Sequence, residues 1–361
     1  MLPLVNDAYE HLDPYIPGKP VAETERELGI SGVVKLASNE NPLGPSPKAV
    51  AAIRAALAQL HDYPDGSAFY LKERLAKVHG VPPAQIVVGN GTNEIIELVV
   101  RTCMRPGENT VCATPAFIVY RLAPQAAGHE IRQVPLKAMR YDLAAMAARA
   151  NDKTKLVIIG NPNNPTGTYV TRQELEAFLA AIPAHVLVVM DEAYFEYVGA
   201  ADYPNGLDYL KTRERLLVLR TFSKCYGLAG LRIGYGIGAP KLIDYLNRGR
   251  QPFNTNSLAQ AGALAALDDA EHVARCVALN RKEMARLVPE LRKRGLGVTD
   301  SVANFVLVDF GRDVREIFEK LLRQGVIVRP MVNYGLPTSA RITIGTPEQN
   351  DRLMAALGRV L

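Results

Sequence analysis

Lys224 lies in the run Thr221–Tyr235, TFSKCYGLAGLRIGY, where a lysine, a serine and an arginine surround a glycine-rich turn. That grouping suits covalent amine chemistry. The lysine can form a Schiff base with pyridoxal phosphate (PLP), while Ser223 offers a hydroxyl and Arg232 a planar guanidinium fork to the phosphate. A Ser-Lys pair by itself is far more often solvated surface than catalytic. The surroundings change the reading, because Leu216–Leu219 reads as a buried strand and puts Lys224 just past its carboxyl end, where open α/β sheets bind ligands.

A second element fits the same anion. Ile86–Val88 leads into GNGTNE, Gly89–Glu94, and then into the amphipathic stretch Ile95–Met104, which is the pattern of a strand, a glycine turn and a helix start. The backbone N–H groups of Gly91, Thr92 and Asn93, with the Thr92 hydroxyl, would meet an anion at the positive end of the helix dipole. An ordinary turn capped by Thr92 accounts for these residues equally well. Neither GxGxxG nor GxxxxGKS/T follows a strand here, so no dinucleotide or nucleoside triphosphate is indicated.

Between these elements lie residues able to tune an aromatic cofactor. The strand Leu156–Ile159 ends in NPNNPTG, whose prolines turn the chain and aim Asn164 at a cleft. The strand Val186–Met190 ends in DEAY, where Asp191 can pair with a pyridinium nitrogen and keep it protonated. Tyr194 and Asn164 could then hydrogen-bond the ring's phenolic oxygen, and Phe117, in TPAFIVY, could stack on the ring face. The competing reading makes Asp191 a helix cap and leaves Tyr194 and Phe117 as packing residues.

These side chains need a frame that brings strand ends together. Apolar runs of strand length at Ile86–Val88, Thr110–Ala113, Leu156–Ile159, Val186–Met190, Leu216–Arg220 and Gly234–Gly238 alternate with helical periods. The expected fold is therefore α/β, a mostly parallel sheet covered by helices. At Gln251–Asn256 the pattern breaks, and an Ala-rich helical tract from Ser257 through Leu291 follows. Phe305–Val308, a helix through Leu322, Val326–Val328 and Ile342–Ile344 then suit a smaller α+β domain. At 361 residues the chain exceeds one ordinary core.

Composition excludes several classes. The net charge is +5, but basic residues are mixed with acidic ones, so no nucleic-acid stripe is seen, and a cleft for phosphorylated substrates accounts for the excess. Cys103, Cys112, Cys225 and Cys276 show no CxxC spacing and read as reduced thiols, with Cys225 open to modification; no metal site is expected. MLPLVNDAYE is not a signal peptide and no apolar run is long enough for a bilayer, so the expected compartment is the cytoplasm.

Taken together, SNENPLGPSP from Ser38, YPDG from Tyr63, GNGTNE, NPNNPTG, DEAY, SKCYGLAGLRIGY and RITIG from Arg341 resemble the fold-type I PLP-dependent aminotransferases over nearly the whole chain. PYIPGKP from Pro14 and HDYPDGSAFYLKERLA make it look most like the histidinol-phosphate aminotransferase subfamily, with Phe117 where that subfamily often has tyrosine. The resemblance implies Lys224 as the cofactor-bearing lysine, Asp191 at the ring nitrogen, and Asn164 with Tyr194 at the phenolic oxygen. It also implies Ser223, Arg232 and the backbone around Thr92 on the phosphate, Tyr63 reaching that phosphate across a homodimer, and Tyr15, Arg329 and Arg341 facing the substrate. The implied layout is an N-terminal arm over 1–32, a PLP domain over 33–252 and a small α+β domain over 253–361. The implied reaction exchanges an amino group between histidinol phosphate and 2-oxoglutarate, giving imidazole-acetol phosphate and glutamate. An aromatic amino acid aminotransferase, a threonine-phosphate decarboxylase and a PLP-binding regulator are the alternatives, in that order.

Overall fold

The computed structural model describes residues 4–10, 12, 14 and 18–361. The short strand β1 (Val34–Lys35) is followed by β2 (Ile86–Gly89), β3 (Asn109–Thr114), β4 (Glu130–Pro135), β5 (Thr154–Gly160), β6 (Leu187–Asp191), β7 (Leu216–Thr221) and β8 (Gly234–Gly238). Strands β2 to β8 form one seven-stranded sheet in the order β2-β8-β7-β6-β5-β3-β4. Only β8 runs against the others, pairing antiparallel with β2 and β7. Strands β5, β6 and β7 are buried along nearly their whole length, as strands covered on both faces must be, and this is why each reads as a continuous apolar run.

The six expected strands are present, and β4 is an addition. Its sequence, EIRQVP, carries no apolar run because it closes the edge of the sheet, where only Val134 is buried.

The C-terminal part contributes β9 (Gly297–Val298), β10 (Phe305–Asp309), β11 (Val326–Ile327), β12 (Arg329–Pro330) and β13 (Ser339–Thr343). Four of these make a second sheet in the order β12-β13-β10-β9, and β11 pairs in parallel with β1. Because of that pairing, Leu36 enters the core formed by Val306, Val308, Ile317, Leu321, Ile342 and Leu353. Residues near the start of the chain thus help to hold the small unit.

The helical tract expected over Ser257–Leu291 is two helices, Ser257–Ala266 and Ala270–Lys293. Asp269 separates them, its carboxylate accepting the His272 N–H as the N-cap of the second. The first helix buries Ala259, Ala263 and Ala266 in one cluster with Leu71, Leu75, Ile86 and Tyr235, so it packs with the large sheet and not with the small one. Its alanines let the helix Pro47–Ala56 approach closely. The change from one core to the other therefore comes after this helix, later than residue 252. Among the described residues no helix is long and apolar enough to cross a membrane.

For function, the consequence of this topology is where strands stop. β2, β5, β6 and β7 point the same way and end at Gly89, Gly160, Asp191 and Thr221 along one rim of the sheet. The ends of these strands and of β3, which runs parallel to β5, together with the loops that follow them, carry all the candidate site residues except Tyr15, Tyr63, Arg329 and Arg341.

Candidate active site

A cavity opens where this rim faces the small sheet. It is lined by Thr92, Asn93, Phe117, Asn164, Asp191, Tyr194, Ser223, Lys224 and Arg232 from the large part, and by Arg329 and Arg341 from the small one. Gly91 immediately precedes Thr92. Tyr63 is elsewhere: it is 82 % exposed and stacks on Phe253 with ring centroids 4.7 Å apart. Tyr15 lies outside the described residues.

Asp191 is the last residue of β6 and is almost fully buried. Its Oδ2 accepts a hydrogen bond from the Tyr120 hydroxyl at 2.9 Å and its Oδ1 accepts the Ala193 N–H at 3.1 Å. Burial raises the carboxyl to about 6, and these two donors, with the charge of Lys224, restrain the rise. The group is therefore an anion at neutral pH, held by fixed donors and facing the cavity. Asp191 does not cap a long helix, since only the single turn Phe195–Tyr197 follows.

Lys224, three residues beyond β7, reaches back so that its Nζ lies 3.3 Å from the Ser38 carbonyl and 5.7 Å from the centre of the Tyr194 ring. Burial, reinforced by the charges of Arg341 and Arg232, pushes this amine down to about 8 against the pull of Glu40 and Asp191. A substantial fraction of it is neutral, and so nucleophilic, near physiological pH.

One end of the cavity is built for an anion. The helix Thr92–Cys103 starts with no side chain capping it, which leaves its first N–H groups free for a ligand at the positive end of the dipole. Gly91 takes φ of +80°, a conformation that demands glycine, and the absence of a Cβ lets the Arg232 guanidinium lie against it, Nη2 being 2.7 Å from where a Cβ would stand. Arg232 itself has φ of +56°; its Nη1 donates to the Ala229 carbonyl at 3.1 Å and lies 3.5 Å from Ser223 Oγ. A guanidinium, a hydroxyl and a helix start thus converge on one place.

The other end is cationic. In the ladder between β12 and β13, Arg329 stands directly opposite Arg341. Both side chains border the cavity, which places two guanidinium groups at this end of it. Arg341, largely buried, donates from Nη2 to the Ala37 carbonyl at 2.6 Å and from Nη1 to Asn164 Oδ1 at 2.7 Å. The second of these contacts fixes the Asn164 amide, leaving its NH2 as the group available to a ligand.

Several lining residues were not legible as functional. Tyr120 lies one helical turn after Phe117, which it meets edge-on at 5.6 Å and 85°; its only signal was that spacing. Ser38 and Asn39 belong to SNENPLGPSP, and nothing local to that motif says they reach a lysine and a tyrosine more than a hundred residues away. Tyr334 also borders the cavity, with no motif around it. One expectation is corrected: Cys225 is fully buried, and burial pushes its thiol well up, so it is not the reactive thiol anticipated beside Lys224.

A mainly parallel sheet, a lysine past a strand end, an aspartate on the next strand and a helix start flanked by a serine and an arginine together define a PLP-type transferase. In agreement, the chain belongs to the aminotransferase class I and II family, whose model matches residues 31–357. It is 53 % identical to histidinol-phosphate aminotransferase 2 of Pseudomonas fluorescens over 100 % of this chain and 98 % of that one. It is 52 % identical to histidinol-phosphate aminotransferase 2 of Pseudomonas aeruginosa, with the same coverage. Among solved structures, the histidinol-phosphate aminotransferase of Sinorhizobium meliloti in complex with pyridoxal-5'-phosphate superimposes with a TM-score of 0.90 at 29 % identity, covering 100 % of this chain and 98 % of that one.

Proposed function

We propose that this protein is a PLP-dependent transaminase exchanging an amino group between L-histidinol phosphate and 2-oxoglutarate, with imidazole-acetol phosphate and L-glutamate as products. The observation that carries the reading is a cavity with anion-binding groups at both ends and a partly neutral lysine facing a buried aspartate between them. Relatives carrying the histidinol-phosphate aminotransferase name over their full length support it.

When bound, PLP supplies an aldehyde that takes up amino groups and a ring that absorbs the electrons released when an α-proton leaves. Ser223, Arg232 and the N–H groups at Thr92 and Asn93 would hold its phosphate, whereas the Gly91 N–H, expected to join them, is donated to the Gly89 carbonyl at 2.8 Å; Phe117 would offer its face to the ring. Asp191 would keep the ring nitrogen protonated by its charge, and Asn164, through its NH2, and Tyr194, through its hydroxyl, would donate to the phenolic oxygen. Lys224 moves the proton at the substrate α-carbon, for which a pKa near ambient pH is favourable. Arg341 holds the α-carboxylate of glutamate, and Arg329, with Tyr15, meets the distal carboxylate of one substrate and the phosphate of the other.

The substrate assignment is tested by comparing kcat/KM for histidinol phosphate, histidinol and phenylalanine, all with 2-oxoglutarate. Losing one or two charge-assisted hydrogen bonds, about 1.5 to 3 kcal/mol each, makes histidinol about tenfold to several hundredfold poorer than histidinol phosphate. Arg329→Leu should erase most of that preference while leaving cofactor occupancy unchanged. Phenylalanine as the best of the three would make the enzyme an aromatic aminotransferase instead.

The active unit in this reading is a cytoplasmic homodimer without nucleic-acid or membrane partners. Tyr63 is exposed on its own protomer and stacks on partly exposed Phe253, and Leu60, Phe69 and Tyr70, near it in the chain, are exposed as well, as expected of a face that would deliver Tyr63 to the phosphate site of a second subunit. Tyr63→Phe should weaken PLP binding by the equivalent of one hydrogen bond to a charged group, about tenfold or somewhat more. A fully active monomer in analytical sedimentation at assay concentration would rule this out.

A further inference from the structure

Asn39 has both backbone groups and both ends of its amide engaged. It is 1 % exposed and has φ of +55°, a backbone conformation that asparagine and glycine tolerate better than other residues. Its backbone N–H donates to Thr343 Oγ1 at 2.9 Å, and its carbonyl accepts from Asn304 Nδ2 at 3.1 Å. The Thr343 hydroxyl donates to Asn39 Oδ1 at 3.3 Å, and Asn39 Nδ2 donates to the Tyr194 hydroxyl at 2.9 Å.

This network fixes direction as well as distance. Thr343 Oγ1 accepts the Asn39 N–H, and its own proton is given to Asn39 Oδ1, which leaves the amide nitrogen facing Tyr194. A phenolic hydroxyl has a single proton. With a donor already on its oxygen from the Asn39 side, that proton points away from Asn39, toward the cavity that both residues line. An aspartate at position 39 would do the opposite and draw the proton to itself.

We propose that Asn39 is a positioning residue that holds Tyr194 as a hydrogen-bond donor toward the cavity, an inference that rests on reading Tyr194 as facing the phenolic oxygen of bound PLP. The two residues that orient Asn39 belong to the small unit, Thr343 at the end of β13 and Asn304 just before β10. Docking of the small unit thereby sets the donor that the large unit presents. Lys224, Arg341, Asp191 and Tyr334 are the other titratable or charged groups that act on Tyr194, and all of them line the same cavity.

The test is the pH midpoint of the visible absorption band of the PLP-loaded protein, because a donor on the phenolic oxyanion stabilises the deprotonated chromophore and keeps that midpoint low. It is measured for the parent, Tyr194→Phe, Asn39→Asp, Asn39→Gly and the two Asn39 variants in the Tyr194→Phe background. Tyr194→Phe should raise the midpoint by about one pH unit, the size of one hydrogen bond to a charged group. Asn39→Asp should raise it comparably but add little in the Tyr194→Phe background. Asn39→Gly, which suits the left-handed backbone, should give a smaller rise, also lost in that background, and it decides the matter if the Asp variant does not fold. A shift from Asn39→Asp that persists in full without the Tyr194 hydroxyl would be a plain charge effect and overturn the proposal. So would an unchanged midpoint in both Asn39 variants where Tyr194→Phe moves it. If Tyr194→Phe itself moves nothing, the placement of Tyr194 at the phenolic oxygen fails, and the role of Asn39 with it.

Discussion

Lys224→Ala is expected to lower turnover by more than about 10³-fold while leaving the fold intact, because the group that bears the cofactor and the group that moves the α-proton vanish together. The side chain borders a cavity and its Nζ makes a 3.3 Å contact with one carbonyl, so its loss does not open a hole in an apolar core. Borohydride reduction of the native protein followed by peptide mapping should place the pyridoxyl group on Lys224, and a label on another lysine would displace the assignment. The wild-type protein stripped of cofactor adds a test of sign. Only the neutral amine attacks an aldehyde, and the folded environment lowers Lys224 to about 8, so the rate of PLP capture should climb with pH and level off above about 8. A rate still climbing at pH 10 would mean that burial and the nearby arginines do not act on this amine as described.

Asp191→Asn should keep PLP bound and slow the half-reaction with glutamate by roughly two to four orders of magnitude. The substitution preserves shape and leaves an oxygen to accept the Ala193 N–H, while the Tyr120 contact reverses, the new NH2 donating to its hydroxyl oxygen; what it removes is the charge that keeps a ring nitrogen protonated. The check is the conversion of the cofactor's absorbance in single turnovers with glutamate. An Asn variant that turns over like the parent would assign the electron-sink role to another residue. Burial raises the Asp191 carboxyl to about 6, and Tyr120, Ala193 and Lys224 work against that rise. Tyr120 could not reach it past a larger residue at the end of β5: Gly160 is the register partner of Asp191, and a Cβ there would lie 2.6 Å from the Tyr120 hydroxyl.

What the chain alone determined is what local chemistry determines. Lys224, Ser223 and Arg232 sit within one turn; Gly91 to Asn93 sit within one strand-turn-helix step; Asp191 and Asn164 follow apolar runs that can only be buried strands. A short segment dictates each of these placements, because a strand end and its loop carry their side chains to the same rim in any open α/β sheet. The tertiary structure decided the rest. It decided that Arg329 and Arg341 face each other, since their opposition depends on the β12–β13 register. It decided that the amide of Asn39 reaches Tyr194, 155 residues away, and that Tyr120 braces Asp191 over Gly160. It also decided that β4 is a strand, that the helical tract breaks at Asp269, and that the helix before the break packs with the large sheet. The opposition of Arg329 and Arg341 and the contacts made by Asn39 and Tyr120 carry no periodic signal, because each joins elements separated along the chain. Such contacts arise only once pairing and packing have set the distance and orientation between the elements.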